Sequence, residues 1–240
     1  MFSFRNDPGA DGVGVAFCDA VAPGGARLDL ADRAGRPAPG WALVEEALGV
    51  PVLHAHQVHG VEVLEVGADT SPGGCATTEA DALVTREAGI GIAVRVADCL
   101  PVLLADPAAG VVAAAHAGRV GLAAGVLPAT LARMRALGAR RITAWIGPHV
   151  CGACYEVPEQ LRAEVAAGLA GAWATTSWGT PALDLGGAAS VQLEAAGCSV
   201  RRHDPCTLET PTLHSHRRDA AAAGRQAGVI WLPRAASAGR

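Results

Sequence analysis

Pro101-Val102-Leu103-Leu104-Ala105-Asp106-Pro107-Ala108-Ala109-Gly110-Val111-Val112-Ala113-Ala114-Ala115 holds two short apolar runs split by Asp-Pro and Gly. Strands covered on both faces read as nearly continuous apolar runs, whereas half-buried strands alternate. Asp106-Pro107 is a turn signal. The stretch therefore predicts two buried strands side by side. Outward from it, residues 12–17 read as strand and turn, and 42–48 as a short helix closed by Gly49. Strands are expected over 52–56, 61–66, 81–85, 91–97, 141–146, 199–202 and 229–232, and a loop over the Gly-, Ser- and Thr-rich residues 67–80. Helices are expected over 122–137, 158–171 and 188–196, with Pro128 either kinking the first or delaying its start. Residues 214–224 read as an Arg-rich loop or helix start. Strands and helices mix without strict alternation. That favours an α+β fold, a layered structure with mixed β-sheets and flanking helices. No linker or repeat divides the chain, so residues 1–240 are expected to form one domain.

Composition narrows the function. Half of the 240 residues are hydrophobic and 18% are charged, which suits a packed core and excludes disorder. A formal charge of -4 and 4% aromatics argue against a nucleic-acid surface. Every cationic side chain is Arg, because the chain has no Lys. A Schiff-base or P-loop lysine is thereby excluded, and guanidinium remains the anion clamp. The first residues lack the apolar core of a signal peptide, and no apolar stretch reaches membrane-spanning length. A cytoplasmic protein is expected, with its seven cysteines as free thiols or ligands.

Three residues carry the chemistry: His59 in Gln57-Val58-His59-Gly60, Cys99 in Ala97-Asp98-Cys99-Leu100-Pro101, and His116 in Ala115-His116-Ala117-Gly118. Each sits where an apolar run gives way to a turn or helix. Two imidazoles and a thiolate make a three-ligand zinc site, with the open fourth position of a catalytic centre. Asp98 would orient a ligand or serve as acid/base. Spacings of 40 and 17 positions match no local motif. They leave open the reading of two hydrogen-bonded turn histidines and a buried small thiol. Arg217, Arg218 and Arg225 suit a phosphate, or a solvated surface. Arg119 follows His116 by three positions. Cys151-Gly152-Ala153-Cys154 is a lone CxxC, for which structural thiols are preferred over a redox pair or half a zinc site. The pairs His54/His56 and His214/His216 suggest copper. A complete multicopper centre needs about ten imidazoles, and the chain has eight His.

The order of QVHG (57–60), DALVT (81–85), ADCLPVLLAD (97–106), AAAHAG (113–118), IGPHVCGACYEV (146–157), LDLGGAASVQL (183–193), CT (206–207), SHRRD (215–219) and GR (224–225) resembles one family. It was once called multicopper polyphenol oxidoreductase, or laccase-domain proteins, and its members are now regarded as zinc-dependent purine nucleoside phosphorylases with adenosine deaminase side activity. The likeness spans residues 50–232. It implies zinc held by His59, Cys99 and His116, catalytic roles for Cys99, His116 and Asp98, and substrate or phosphate contacts from Gln57, Arg119, Arg218 and Arg225. Purine nucleosides and phosphate are the implied partners, without nucleic acid or membrane, in a monomer or homodimer. The chain departs from the family at His116-Ala117-Gly118-Arg119-Val120-Gly121, where the family usually reads HAGWRG: the Trp is absent and the Arg comes one position early. His214 and His216 also stand where aromatics are commoner. Two alternatives accompany this expectation. One is a copper-dependent polyphenol oxidoreductase. The other is a Cys-His hydrolase acting on peptidoglycan precursors, with Cys99 as nucleophile.

Overall fold

The computed structural model describes residues 1–9, 12–33 and 36–234. Two mixed sheets lie at its centre. The first runs in the order β1 (Phe2–Asn6), β2 (Gly14–Cys18), β13 (Gln226–Trp231), β6 (Gly91–Val96) and β3 (Val52–His54). The second runs β12 (Ser199–Arg202), β9 (Thr143–Ile146), β7 (Leu100–Asp106), β8 (Val111–Ala117), β5 (Ala82–Thr85) and β4 (Val63–Val66). A separate hairpin joins β10 (Trp173–Thr175) to β11 (Pro181–Leu183).

The apolar runs of β7 and β8 are buried throughout, and their alternation explains the layers. Leu103, Ala105, Val112 and Ala114 pack with Val15, Phe17, Ile92, Val94 and Ile230 of the first sheet. Val102, Leu104, Ala113 and Ala115 face the other way, onto the helices α4 (Val126–Ala136) and α6 (Leu185–Ala195). The outer face of the first sheet is covered by α1 (Gly40–Leu48) through Trp41, Val44 and Leu48. The result is helix, sheet, sheet, helix, the α+β arrangement that the sequence pattern predicts. Each large aliphatic side chain fully buried between the layers contributes about 1.5–3 kcal/mol against chain entropy.

The remaining helices are α2 (Pro72–Thr77), α3 (Arg119–Ala124), α5 (Glu159–Gly168) and α7 (His216–Asp219). Three expectations are corrected here. Residues 67–80 contain α2, whose start is set by Ser71 accepting a hydrogen bond from the Gly74 amide, with Pro72 in the first turn. The helix expected over 122–137 is two helices, and the break lies at Gly125 (φ 100°) rather than at Pro128. Pro128 falls in the first turn of α4, where no intrahelical N–H bond is lost. Finally, α6 begins earlier than residue 188, because Asp184 caps it through the Gly187 amide. Among the described residues, no helix is long and apolar enough to cross a membrane.

Candidate metal centre

Antiparallel pairing of β7 and β8 sets Leu100 opposite Ala117 and Pro101 opposite His116. Cys99, one residue before β7, and His116, near the end of β8, thus share one end of the sheet. β5 pairs with β8 on its other side, Ala82 opposite Ala115. That register places Asp81 beside His116, whose backbone amide donates to the Asp81 carbonyl at 2.7 Å. His59 arrives from the turn beyond β3 with φ 62°, and Asp98 precedes Cys99 with φ 85°. Positive φ costs a non-glycine residue free energy, so surrounding structure must hold both turns in place. The ligand atoms of His59, Cys99 and His116 lie within 4.8 Å of one another. Cys99 Sγ is 3.7 Å from His59 Nε2.

Asp81 organises the trio. It is fully buried, and His116 Nδ1 donates to its Oδ1 at 2.7 Å. Its oxygens also accept the amides of Val58 (3.0 Å), His59 (2.9 Å) and Gly60 (2.7 Å). Burial alone would raise this carboxyl. The hydrogen bonds from His116 and from the Gly60 and Val58 amides outweigh it and hold the group down at about 2. Burial likewise opposes the charged forms of Cys99 and His116. The imidazoles nevertheless pull the Cys99 thiol down to about 6, and Asp81 with Cys99 lifts His116 to about 9.

This donor set fits a borderline-soft divalent cation. With Nδ1 committed to a carboxylate, His116 offers Nε2, the arrangement in which ligating histidines are usually held. Two imidazoles and a readily ionised thiol are the donors that zinc takes, and three of them leave a coordination position free. Two glycines let the elements close up. A Cβ on Gly118 would lie 2.6 Å from His59 Cδ2 and 3.2 Å from Cys99 Sγ, and one on Gly121 would lie 2.8 Å from the Gly60 carbonyl oxygen.

Above the trio opens a cavity of about 1150 Å³, lined on one side by Gln57, His59, Cys99 and His116. Arg33, Arg95, Arg119, Arg217 and Arg225 also line it with Asp32 and Asp98, so guanidinium groups outnumber carboxylates in its wall. Arg95 is paired with Asp32 at 2.7 Å. Arg217 lies over the Tyr155 ring, 4.7 Å from its centre. Arg119 lines the cavity although it stands one position early, while Val120 is exposed outside it.

Other expected residues have different placements. Arg218 is not in the cavity wall. Its guanidinium donates to the carbonyls of Thr207 (2.8 Å) and Leu213 (2.6 Å) and pairs with Asp219, so it straps the chain around α7. Of the clustered pair expected to meet phosphate, Arg217 lines the cavity and Arg218 does not; Arg95, which was not among the expected contacts, lines it too. Gln57 is in the wall, but its amide bonds the Arg95 backbone in both directions at 2.8 Å. Asp98 also lines the cavity, and it accepts from Thr207 Oγ1 (2.6 Å) and the Arg217 amide (2.7 Å), bonds that tie down the Cys99 turn. Neither HxH pair forms a cluster. His54 is stacked on Trp41 and His214 is bonded to the Leu28 carbonyl, whereas His56 and His216 face the cavity. Among the described residues, only His59 and His116 are histidines within a group of three or more candidate metal ligands.

Fold and site together define a layered α+β protein with an open His-Cys-His ligand set beneath a cationic cavity. The chain belongs to the family described as multi-copper polyphenol oxidoreductase laccase, whose sequence profile matches residues 28–233. It is 53% identical over 188 residues to a Streptomyces griseus protein named purine nucleoside phosphorylase, covering 75% of this chain and 74% of that one. A Streptomyces coelicolor protein of the same name is 51% identical over 196 residues, covering 79% and 80%. Among solved structures, a Neisseria meningitidis protein superposes with a TM-score of 0.80 at 31% identity, covering 96% of this chain and 98% of that one.

Proposed function

We propose that the chain, acting as one domain over residues 1–240, is a zinc-dependent purine nucleoside phosphorylase. It would convert adenosine, inosine or guanosine and inorganic phosphate to free base and ribose 1-phosphate. The observation that carries the reading is the His59–Cys99–His116 trio at the edge of an arginine-lined cavity large enough for both substrates. The names of the Streptomyces relatives support it.

In phosphorolysis, a phosphate oxygen bonds the ribose C1′ as the bond from C1′ to the purine nitrogen breaks. The electron pair leaves with the base, which takes up a proton. Positive charge builds on the sugar and negative charge on the purine. The guanidinium groups of Arg119, Arg217 and Arg225 would hold the phosphate dianion by charge-assisted hydrogen bonds. Preorganised positive charge near the departing base lowers the barrier, because no solvent has to reorient as the charge develops. His59, Cys99 and His116 would hold zinc, which supplies Lewis-acid polarisation when bound. Asp81 would fix the His116 tautomer, and Asp98 would fix the turn that presents Cys99. The same site would support hydrolytic deamination of adenosine as a further activity.

The test pairs metal analysis of protein purified without added metal with base release from each nucleoside, with and without phosphate. About one zinc at this site and phosphate-dependent base release are expected, both lost in Cys99→Ala. A Cys99→Ala protein that kept metal at His59 and His116 and full phosphorolysis would sink the reading. The oxidase alternative, which the family's description carries, requires oxygen-dependent phenol oxidation after copper loading and its loss in His116→Ala. The hydrolase alternative requires metal-independent activity and alkylation of Cys99.

A further inference from the structure

We propose that the turns Cys151–Cys154 and Cys206–Glu209 together hold a second metal ion, a structural zinc bound by three thiolates and one carboxylate. The CxxC is lone only in sequence. Folding sets against it Cys206-Thr207-Leu208-Glu209, another pair of candidate ligands three positions apart. The four ligand atoms lie within 4.8 Å of one another. A tetrahedral zinc with bonds of about 2.3 Å to sulfur keeps its donors about 3.8 Å apart, so a contraction of about 1 Å completes the shell.

The backbone is shaped for this. The Tyr155 amide donates to the Cys151 carbonyl at 2.9 Å, and the Thr210 amide donates to the Cys206 carbonyl at 3.0 Å. Both segments thus make one helical turn, which brings residues i and i+3 to one side. The Thr207 amide donates to the His149 carbonyl at 3.0 Å and ties the two turns together. The Cys151 amide donates to Cys206 Sγ at 3.5 Å, an outer hydrogen bond of the kind that orients metal ligands. The three thiols are free, and Glu209 is exposed where an ion can enter. Three soft sulfurs select zinc over magnesium or calcium, and four protein ligands close the shell, which marks a structural site. Binding would release the thiol protons to solvent. The ion would brace the first site from behind. Thr207 holds Asp98 beside Cys99, and Tyr155, next to Cys154, supports Arg217 in the cavity wall.

The experiment uses the reduced full chain carrying Cys99→Ala, which removes the thiolate of the first site. Cobalt(II) is titrated in and followed by absorption. We expect intense thiolate-to-cobalt charge-transfer and tetrahedral ligand-field bands, saturating at one metal per chain and erased by zinc. Cys206→Ser in this background should lower the charge-transfer intensity by roughly a third, one thiolate of three. Should that variant fail to fold, the exposed Glu209→Gln decides: it should keep the sulfur bands and weaken binding about tenfold or more. Absence of the bands would overturn the site, as would a Cys151–Cys154 disulfide in the protein as purified. Unchanged affinity in Glu209→Gln would overturn the four-ligand assignment. No outcome depends on whether the chain turns over nucleosides.

Discussion

His116 and Asp81 form a buried pair, Nδ1 to Oδ1 at 2.7 Å, while the same carboxylate gathers the amides of Val58, His59 and Gly60. One side chain therefore aligns one imidazole and shapes the turn that delivers the other. Asp81→Asn replaces one acceptor oxygen by a donor facing N–H groups. Outer-shell partners of this kind are worth about 10- to 100-fold in metal affinity. We expect a loss of that size in zinc competition with a chromophoric chelator. An unchanged affinity would remove Asp81 from the site.

Gly118 is required by packing rather than by backbone conformation. Its absent Cβ leaves room for His59 Cδ2 and Cys99 Sγ. Gly118→Ala should displace the imidazole while leaving the layered core intact. Misplacement by about 1 Å costs on the order of 100-fold in rate. The expected outcome is weakened metal binding and a kcat lowered by that order, with a circular-dichroism spectrum like the parent's. Full activity would show that His59 can move without consequence.

Much of the fold was legible in the sequence because its central strands are buried on both faces. The runs at β7 and β8 admit little else, and Gly49 ends α1 in the left-handed conformation as its position implies. Helix α2 was hidden by composition, since Pro72-Gly73-Gly74 has poor helix propensity and only Ser71-Pro72 marked a start. The ligand trio came from motif order, because spacing says nothing of convergence. Asp81 was hidden for a physical reason: its role depends on the β5–β8 register, which no local pattern encodes. The split between Arg217 and Arg218 was equally hidden. It depends on which of two adjacent side chains the short α7 turns toward the cavity.

The contrast between an arginine in the cavity wall and one outside it yields a paired prediction. Arg119 lines the cavity, whereas Arg218 is spent on backbone carbonyls. Arg119→Ala should raise KM for phosphate about 10-fold or more, as loss of a charge-assisted bond of about 1.5–3 kcal/mol implies. It should leave the melting temperature nearly unchanged. Arg218→Ala should do the reverse, lowering stability by about 1–3 kcal/mol through orphaned carbonyls with a modest change in KM. Steady-state kinetics and urea unfolding on both variants check this, and an exchange of the two phenotypes would refute the assignment.

His54 gives the fold a dependence on acid. It lies buried against Trp41, facing Asp32 and Arg95. Burial first, and then the Arg95 guanidinium, push it from the ordinary 6.5 down to about 4, with Asp32 pulling only partly the other way. The unfolded chain protonates this imidazole as pH falls below about 6.5, while the folded chain resists until about 4. Acidification across that window therefore favours the unfolded state, with a slope of up to about 1.4 kcal/mol per pH unit from this group. Above pH 6.5 both states hold it neutral and it contributes no slope. Urea unfolding of the parent and of His54→Gln across the window should show the steeper decline in the parent. Equal slopes would mean that the folded chain accommodates the proton, by drawing Asp32 closer than its present 3.6 Å from Nε2.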